Sequence, residues 1–300
     1  MNGSELDSST RESIGVMPNP LGLLGVEFIE YSTARPQALG QSLERLGFTH
    51  IARHRSREVM LYRQGDVNIV VNAHRAPADP VLPDQAAIAA IAFRVRDAAR
   101  AYRRVLELGA WAVPTRVEVM ELNIPAIHGV GGSRFYFVDR VGEFSIYDVD
   151  FIPIPGVDQH PPGLTGLDLF GVVQYIDFAR MDDWCEFYGE LFGFAELPPD
   201  QSFGVLTDGR ILASPCGSLY WQLVEPVIDA LDVEDEERLQ RIAFASGDVL
   251  RTVDMLKARG VDFVESPSGV RSGTRGALTR PSDAGPSFEF VHDPRIAAQP

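Results

Sequence analysis

Cysteine is almost missing from this 300-residue chain, where Cys185 and Cys216 are the only two. Two thiols build no disulfide framework and no Cys-based zinc spacing, so a reducing cytoplasm is the expected compartment. Basic clusters are missing too. With a formal charge of −15 and no block of Lys and Arg, the chain would repel a phosphate backbone, which argues against a nucleic-acid partner. The longest small-apolar run is AAIAAIAF (86–93), well short of the roughly 20 residues a membrane helix needs. No membrane partner is expected. Residues 1–17, MNGSELDSSTRESIGVM, lack the basic start and apolar centre of a signal peptide and read as a flexible tail. The acidic run DVEDEER (232–238) reads as a solvated loop or helix end.

What the chain does have is repetition and enough apolar residues, 45%, to build a proper core. AAIAAIAFRVRDAARAYRRVLELGAWAV recurs without a gap as RLQRIAFASGDVLRTVDMLKARGVDFV, laying Ala92-Phe93 on Ala243-Phe244, Asp97 on Asp248 and Gly109 on Gly260. LLGVEFIEYSTARPQALGQSLERLGF (23–48) lies on LFGVVQYIDFARMDDWCEFYGELFGF (169–194), with Gly25 on Gly171. FYFVDR (135–140) lies on FEFVHDPR (288–295), with Tyr136 on Glu289. Three blocks in one order in both halves mean a duplication.

Each copy opens on an apolar, β-rich segment and continues into a helix, with Leu39, Leu43 and Leu46 on its apolar face in one copy and Trp184, Phe187, Tyr188 and Leu191 in the other. Short strands, a second strand leading into an Asp-started helix and a last strand complete a β-α-β-β-β rhythm, twice per half. The second Asp-started helix is expected to pack through Val249, Leu250, Val253 and Leu256. The domain reading is a tail at 1–17, a structural module at 18–150, a Pro- and Gly-rich linker at 151–164 and a second module at 165–295 that carries the site.

Paired β-α-β-β-β units in this order resemble the vicinal-oxygen-chelate superfamily, whose paired units curl into a half-barrel cup around a small-molecule site. RHRSREVMLYRQGDVNIVVNA (53–73), ELNIPAIHGVGGSRFYFVDR (121–140) and SIYDVDFIPIPGVD (145–158) are similar to the amino-terminal module of 4-hydroxyphenylpyruvate dioxygenase, and FARMDDWCEFYGELFGF to the start of its catalytic module. The resemblance implies an α+β fold of two tandem vicinal-oxygen-chelate modules. It further implies one Fe(II) in the second module, held by two histidines and one glutamate that leave open positions for a 2-oxo acid and dioxygen. Carried onto this chain, those ligand positions are Gly171, Arg241 and Glu289, so only the carboxylate is kept. The family's cover over the site, a carboxy-terminal helix and a longer apolar insert, is expected to be reduced here, where ESPSGVRSGTRGALTRPSDAGPS (265–287) is short and polar.

No histidine replaces the missing ligands. His292 is three positions from Glu289 on the last strand, an offset that sends it to the opposite face. His50, His54, His74, His128 and His160 fall in turns, strand edges or linker, without a second ligand at metal spacing, and the first module offers only Gly25, Ala90 and Tyr136 at the equivalent positions. No cofactor is therefore expected, with Fe(II) kept for the alternative that the chain is a true Fe(II) dioxygenase. Arg241 stays charged at physiological pH and would repel iron, but it can form a bidentate pair with Glu289. That pair either satisfies a buried carboxylate or leaves Arg241 to grip a ligand carboxylate or enolate, with Glu289 as acid or base. Strand parity adds Tyr175, Tyr220 and Gln222 as inward residues and turns Trp221 away, Gln240 next to Arg241 is grouped with them as part of a polar pocket, and Val224 stands where the family has a substrate-contacting asparagine. Glu289, Tyr175 and Tyr220 are the candidate catalytic groups, and Arg241, Gln240, Gln222 and Val224 the candidate ligand contacts. The function expected is binding of a small carboxylated aromatic or oxo acid, with metal-independent lyase or isomerase chemistry, or else sequestration without turnover. A second copy of the chain, as a homodimer, is the expected macromolecular partner.

Overall fold

The computed structural model describes residues 18–75, 81–114, 122–140, 144–198, 209–225, 237–264, 276–282, 285–293 and 296. The tail at 1–17, most of the acidic run and the first part of the 265–287 loop lie outside them. The first half runs β1 (Leu23–Ser32), α1 (Pro36–Arg45), β2 (Thr49–His54), β3 (Val59–Gln64), β4 (Val67–Asn72), β5 (Ala87–Val95), α2 (Ala98–Glu107), β6 (Ala126–His128), β7 (Arg134–Val138), α3 (Ile146–Asp150) and β8 (Phe151–Pro153). The second runs β9 (Asp168–Tyr175), α4 (Met181–Phe187), β10 (Ala195–Glu196), β11 (Arg210–Ala213), β12 (Tyr220–Val224), β13 (Arg238–Ser246), α5 (Val249–Ala258), β14 (Gly276–Leu278) and β15 (Phe288–His292).

The two halves build two mixed sheets of matching order, β6-β7-β5-β1-β4-β3-β2-β8 and β10-β11-β12-β9-β13-β15-β14. At the centre of each, the opening strands of the two units run antiparallel, β1 with β5 and β9 with β13, and each is flanked by a parallel partner. This is an α+β fold of tandem half-barrel modules. Among the described residues the second unit of each half has, after its helix, a lone bridge, Ala112 to Ile127 or Phe263 to Thr279, and two strands. Phe151–Pro153, at the start of the stretch read as linker, pairs with β2 at the edge of the first sheet.

The repeated Asp and Gly have a local reason. Asp97 and Asp248 cap α2 and α5, accepting from the backbone N–H of Arg100 and Arg251, and Gly109 (φ 93°) and Gly260 (φ 82°) take the left-handed turn after each helix. α5 packs through Val249, Thr252 and Leu256, whereas Leu250, expected on that face, is 54% exposed. The buried stripe follows the i, i+3, i+7 spacing, and Leu250 falls one position off it. α4 runs into a π-helical turn at Tyr188–Phe192 that buries Tyr188, Leu191 and Phe192.

One hydrophobic core joins the halves. Phe93 and Phe135 of the first interlock with Phe192 and Trp221 of the second, with centroids 5.1–6.4 Å apart. Gln174 lies fully buried among these rings, its Oε1 accepting from the Tyr188 hydroxyl at 2.6 Å and the Trp221 indole N–H at 2.9 Å. The sheet faces that make this core are the backs of the two cups.

Candidate functional site

The cup of the second module is built on four adjacent strands whose register sets which side chains meet. In one row Tyr220, Gly171, Ala243 and Glu289 lie side by side across β12, β9, β13 and β15. In the next Gln222, Val173 and Arg241 do so, and in a third Val224, Tyr175 and Arg238. Residues directly opposite share a face, so all of these belong to the cup, while Val172, Trp221, Leu223, Ile242 and Phe244 belong to the core behind it. The inward and outward assignments expected from parity, including Trp221 turned away, agree with this. Gly171 and Ala243 put almost no side chain between Tyr220 and Glu289, and the recess over them is lined by Phe170, Val173, Tyr220, Gln222, Ala243 and Glu289.

Arg241 and Glu289 meet at the end of this floor. Arg241 Nε donates to Glu289 Oε2 at 2.8 Å, with side-chain exposures of only 4% and 1%. The contact is single-point through Nε rather than the bidentate fork expected. Arg241 reaches Glu289 diagonally between rows, which aligns Nε alone with the carboxylate and leaves Nη2 buried with no hydrogen-bond partner. A guanidinium nitrogen without a partner in a dry site costs energy that an anionic ligand would recover.

A strand irregularity adds a second cation. Between Leu239 and Arg241 the β9–β13 register slips by one, which bulges Gln240 and resets the alternation of the strand. Leu239 consequently joins the core and Arg238 the cup, its guanidinium 5.9 Å from the Tyr175 ring centroid and its Nε donating to Gln240 Oε1 at 2.8 Å. Sequence parity missed Arg238 because a bulge leaves no signature in residue types alone. The buried hub Gln174, on the back of β9, was missed as well; a polar residue in an apolar strand was its only signal.

The remaining candidates lie apart from the pair. Tyr220 lines the recess, its ring 4.8 Å from that of Phe170. Tyr175 lies two residues along β9 from Val173, under Arg238, and Val224 is buried opposite it, so neither lines the recess. His292 is exposed, on the face opposite Glu289. His50 stacks on Tyr62 at 4.8 Å, and its ring is held below the ordinary 6.5 by burial. His54 Nδ1 accepts from the backbone N–H of Ser56 and Arg57, and His128 and His160 are exposed.

The first module's cup is filled. Phe28, Ile51, Leu61, Val70, Ala92 and Val138 pack there with Tyr147 and Phe151 from α3 and β8. Its register also corrects the repeat, for Ala92, the counterpart of Ala243, pairs with Phe28, whereas Ala243 pairs with Gly171. Phe28, not Gly25, is therefore the counterpart of Gly171. The structural repeat sets Gly25 on Asp168, Val26 on Leu169 and Phe28 on Gly171, three residues away from the Gly-to-Gly alignment.

Comparison with known proteins fits this architecture. Residues 17–152 match the family described as hydroxyphenylpyruvate dioxygenase, HPPD, N-terminal. A 4-hydroxyphenylpyruvate dioxygenase of Pseudomonas sp. (strain P.J. 874) is 38% identical over 262 residues, 83% of this chain and 73% of that protein. The chain belongs to the 4-hydroxyphenylpyruvate dioxygenase family. Hemolysin VllY of Vibrio vulnificus (strain CMCP6) is equally similar, 38% over 266 residues, covering 83% of this chain and 74% of the relative. A solved xylose isomerase-like TIM barrel/4-hydroxyphenylpyruvate dioxygenase fusion protein superposes with a TM-score of 0.71 at 26% identity, covering 93% of this chain and 50% of that one. The chain thus spans about half the length of the fusion protein.

Family membership raises the question of iron, and the residues present do not fit it. Gly171 has no donor, and a Cβ there would stand 2.6 Å from the Tyr220 carbonyl oxygen, closer than real Cβ atoms come to backbone. Arg241 brings a permanent positive charge and engages the one carboxylate left. Among the described residues no three of His, Cys, Asp and Glu gather at metal distance.

Proposed function

We propose that this family member binds a small carboxylated aromatic or oxo acid in the second-module cup without iron, with Arg241 supplying the positive charge. The buried Nη2 of Arg241, lacking a partner beside the recess, carries this reading. A ligand carboxylate or enolate oxygen would satisfy it in a charge-assisted hydrogen bond, and a flat ring would lie over Gly171 and Ala243, where side chains are smallest. Metal-independent proton transfer is the chemistry these groups support. Glu289 takes a proton from the carbon beside an oxo group, the electron pair moves onto the oxygen facing Arg241, and the Tyr220 hydroxyl protonates that oxygen. Tyr220 is preferred to Tyr175 as the donor because it lines the recess with Glu289. Cys185 and Cys216, both free thiols, fit a reducing cytoplasm, and no helix among the described residues is long and apolar enough to cross a membrane.

The test is thermal denaturation with phenylpyruvate, 4-hydroxyphenylpyruvate and phenylacetate. At a hundred times Kd a ligand stabilises by about 2.7 kcal/mol, a rise of several degrees in Tm. The rise should vanish in Arg241→Ala, and an unchanged rise there would leave the Arg241–Glu289 contact purely structural. Exchange of the phenylpyruvate C3 protons for deuterium, lost in Glu289→Gln, separates catalysis from sequestration.

A further inference from the structure

Where the two halves meet away from the cups, three arginines come together around the end of α1. Arg259, at the end of α5, reaches across to that helix, its Nε donating to the Arg45 carbonyl at 2.7 Å and its Nη2 to the Glu44 carbonyl at 2.8 Å. Those bonds satisfy carbonyls that a helix end leaves unpaired, so Arg259 is spent on the fold. Arg280, just after β14, uses only its Nε, which donates to the Phe263 carbonyl at 3.1 Å. Its two Nη groups and the whole guanidinium of Arg45 have no hydrogen-bond or ion-pair partner among the described residues. Asp262 is the one carboxylate lining the same cavity, and it pairs with neither. Two guanidinium groups against one carboxylate make a local positive field in a chain whose formal charge is −15.

Beneath these cations lies a cavity of about 80 Å³. Leu46, Val261, Pro281, Pro286 and Phe288 give it an apolar floor, and the hydroxyls of Ser42 and Ser282, 3.0 Å apart, close one wall across the two halves. An apolar hollow with a few polar groups on its rim is the usual build of a small-molecule site. At about 10–15 Å³ for each water-sized group, the hollow takes roughly half a dozen heavy atoms, fewer than the aryl acids proposed for the cup carry. We infer that this seam cavity binds a short branched aliphatic carboxylate, with its chain on the apolar floor and its carboxylate on the free N–H groups of Arg45 and Arg280. The site is separate from the cup. Phe288 faces the seam cavity, and Glu289, the next residue of β15, faces the recess on the other side of the sheet.

The experiment is an NMR titration of the full chain that follows the methyl signals of isovalerate, with acetate as the head group alone and isovaleramide as the same body without charge. Isovalerate should bind at least about tenfold tighter than either, since each control lacks one half of the recognition. Arg45→Gln and Arg280→Gln should each weaken isovalerate by about fivefold or more, and Arg45 makes no bond within the protein for its variant to lose. Ser42→Leu, which fills the cavity and keeps both cations, should abolish binding, and Arg241→Ala should leave it unchanged. Isovalerate that binds no tighter than acetate or isovaleramide overturns the inference, as does full affinity in Arg45→Gln and Arg280→Gln, or in Ser42→Leu. Loss of isovalerate in Arg241→Ala also overturns it, by assigning the ligand to the cup. Melting temperatures without ligand, measured on each variant, show that the fold is kept.

Discussion

The Arg241–Glu289 contact sets two charges in a dry place, and its energetics are asymmetric. Removing one partner strands the other, so Glu289→Ala should destabilise by about 3–5 kcal/mol in urea unfolding. Replacing both with apolar residues, as in Arg241→Met with Glu289→Leu, should cost far less while abolishing ligand binding. A double variant as unstable as the single one would show that the pair does more than neutralise itself. His50 makes a separate prediction in pH. Its folded-state pKa lies below the unfolded 6.5, so the unfolded chain binds more protons on the acid side and stability rises with pH through that window. The contribution is full above 6.5 and is lost as pH falls from there through the folded value. His50→Phe should flatten that limb of the stability profile, and an unchanged slope would assign it to other groups. At this scale the site was largely legible, because the period of two in a strand assigned Gln222, Arg241 and Glu289 to one face. The single-point geometry at Nε was not, since it depends on the diagonal offset between rows.

Elements carry what residue types cannot. β13 brings Arg238, the bulge and Arg241 to the cup, and its start is held from outside the second module. Gly131, at φ 56°, packs so closely on this strand that a Cβ would overlap the Glu237 carbonyl. Gly131→Ala should therefore shift the start of β13 and shrink the ligand-induced rise in Tm, while the same substitution at Gly132, where a Cβ meets nothing within 4 Å, should leave that rise nearly unchanged. The helix caps are the simplest elements to test, with Asp97→Ala and Asp248→Ala each expected to cost about 0.5–2 kcal/mol. Both caps were legible from Asp before an apolar helical period. The bulge was not, because an inserted strand residue changes pairing without changing composition, and the shared glycine of the opening strands misled the alignment by three residues.

In the whole molecule the first cup is filled by packed side chains, and the second has a small recess over Gly171 and Ala243. The halves share a core, so they should unfold together, and Trp221→Ala, which removes the largest buried ring of that core, should cost about 3–5 kcal/mol in a single transition. The duplication and the half-barrel fold were readable from the three repeated blocks. The filling of the first cup was not, since it depends on Tyr147 and Phe151 folding back from beyond the repeat. The central claim is that Arg241 stands in for the family's iron. Its most direct test is the metal content of the full chain after anaerobic incubation with Fe(II) and desalting. The account predicts no retained iron in the parent chain or in Glu289→Gln. Close to one iron per chain, lost in Glu289→Gln, would contradict it and return the second cup to dioxygenase chemistry.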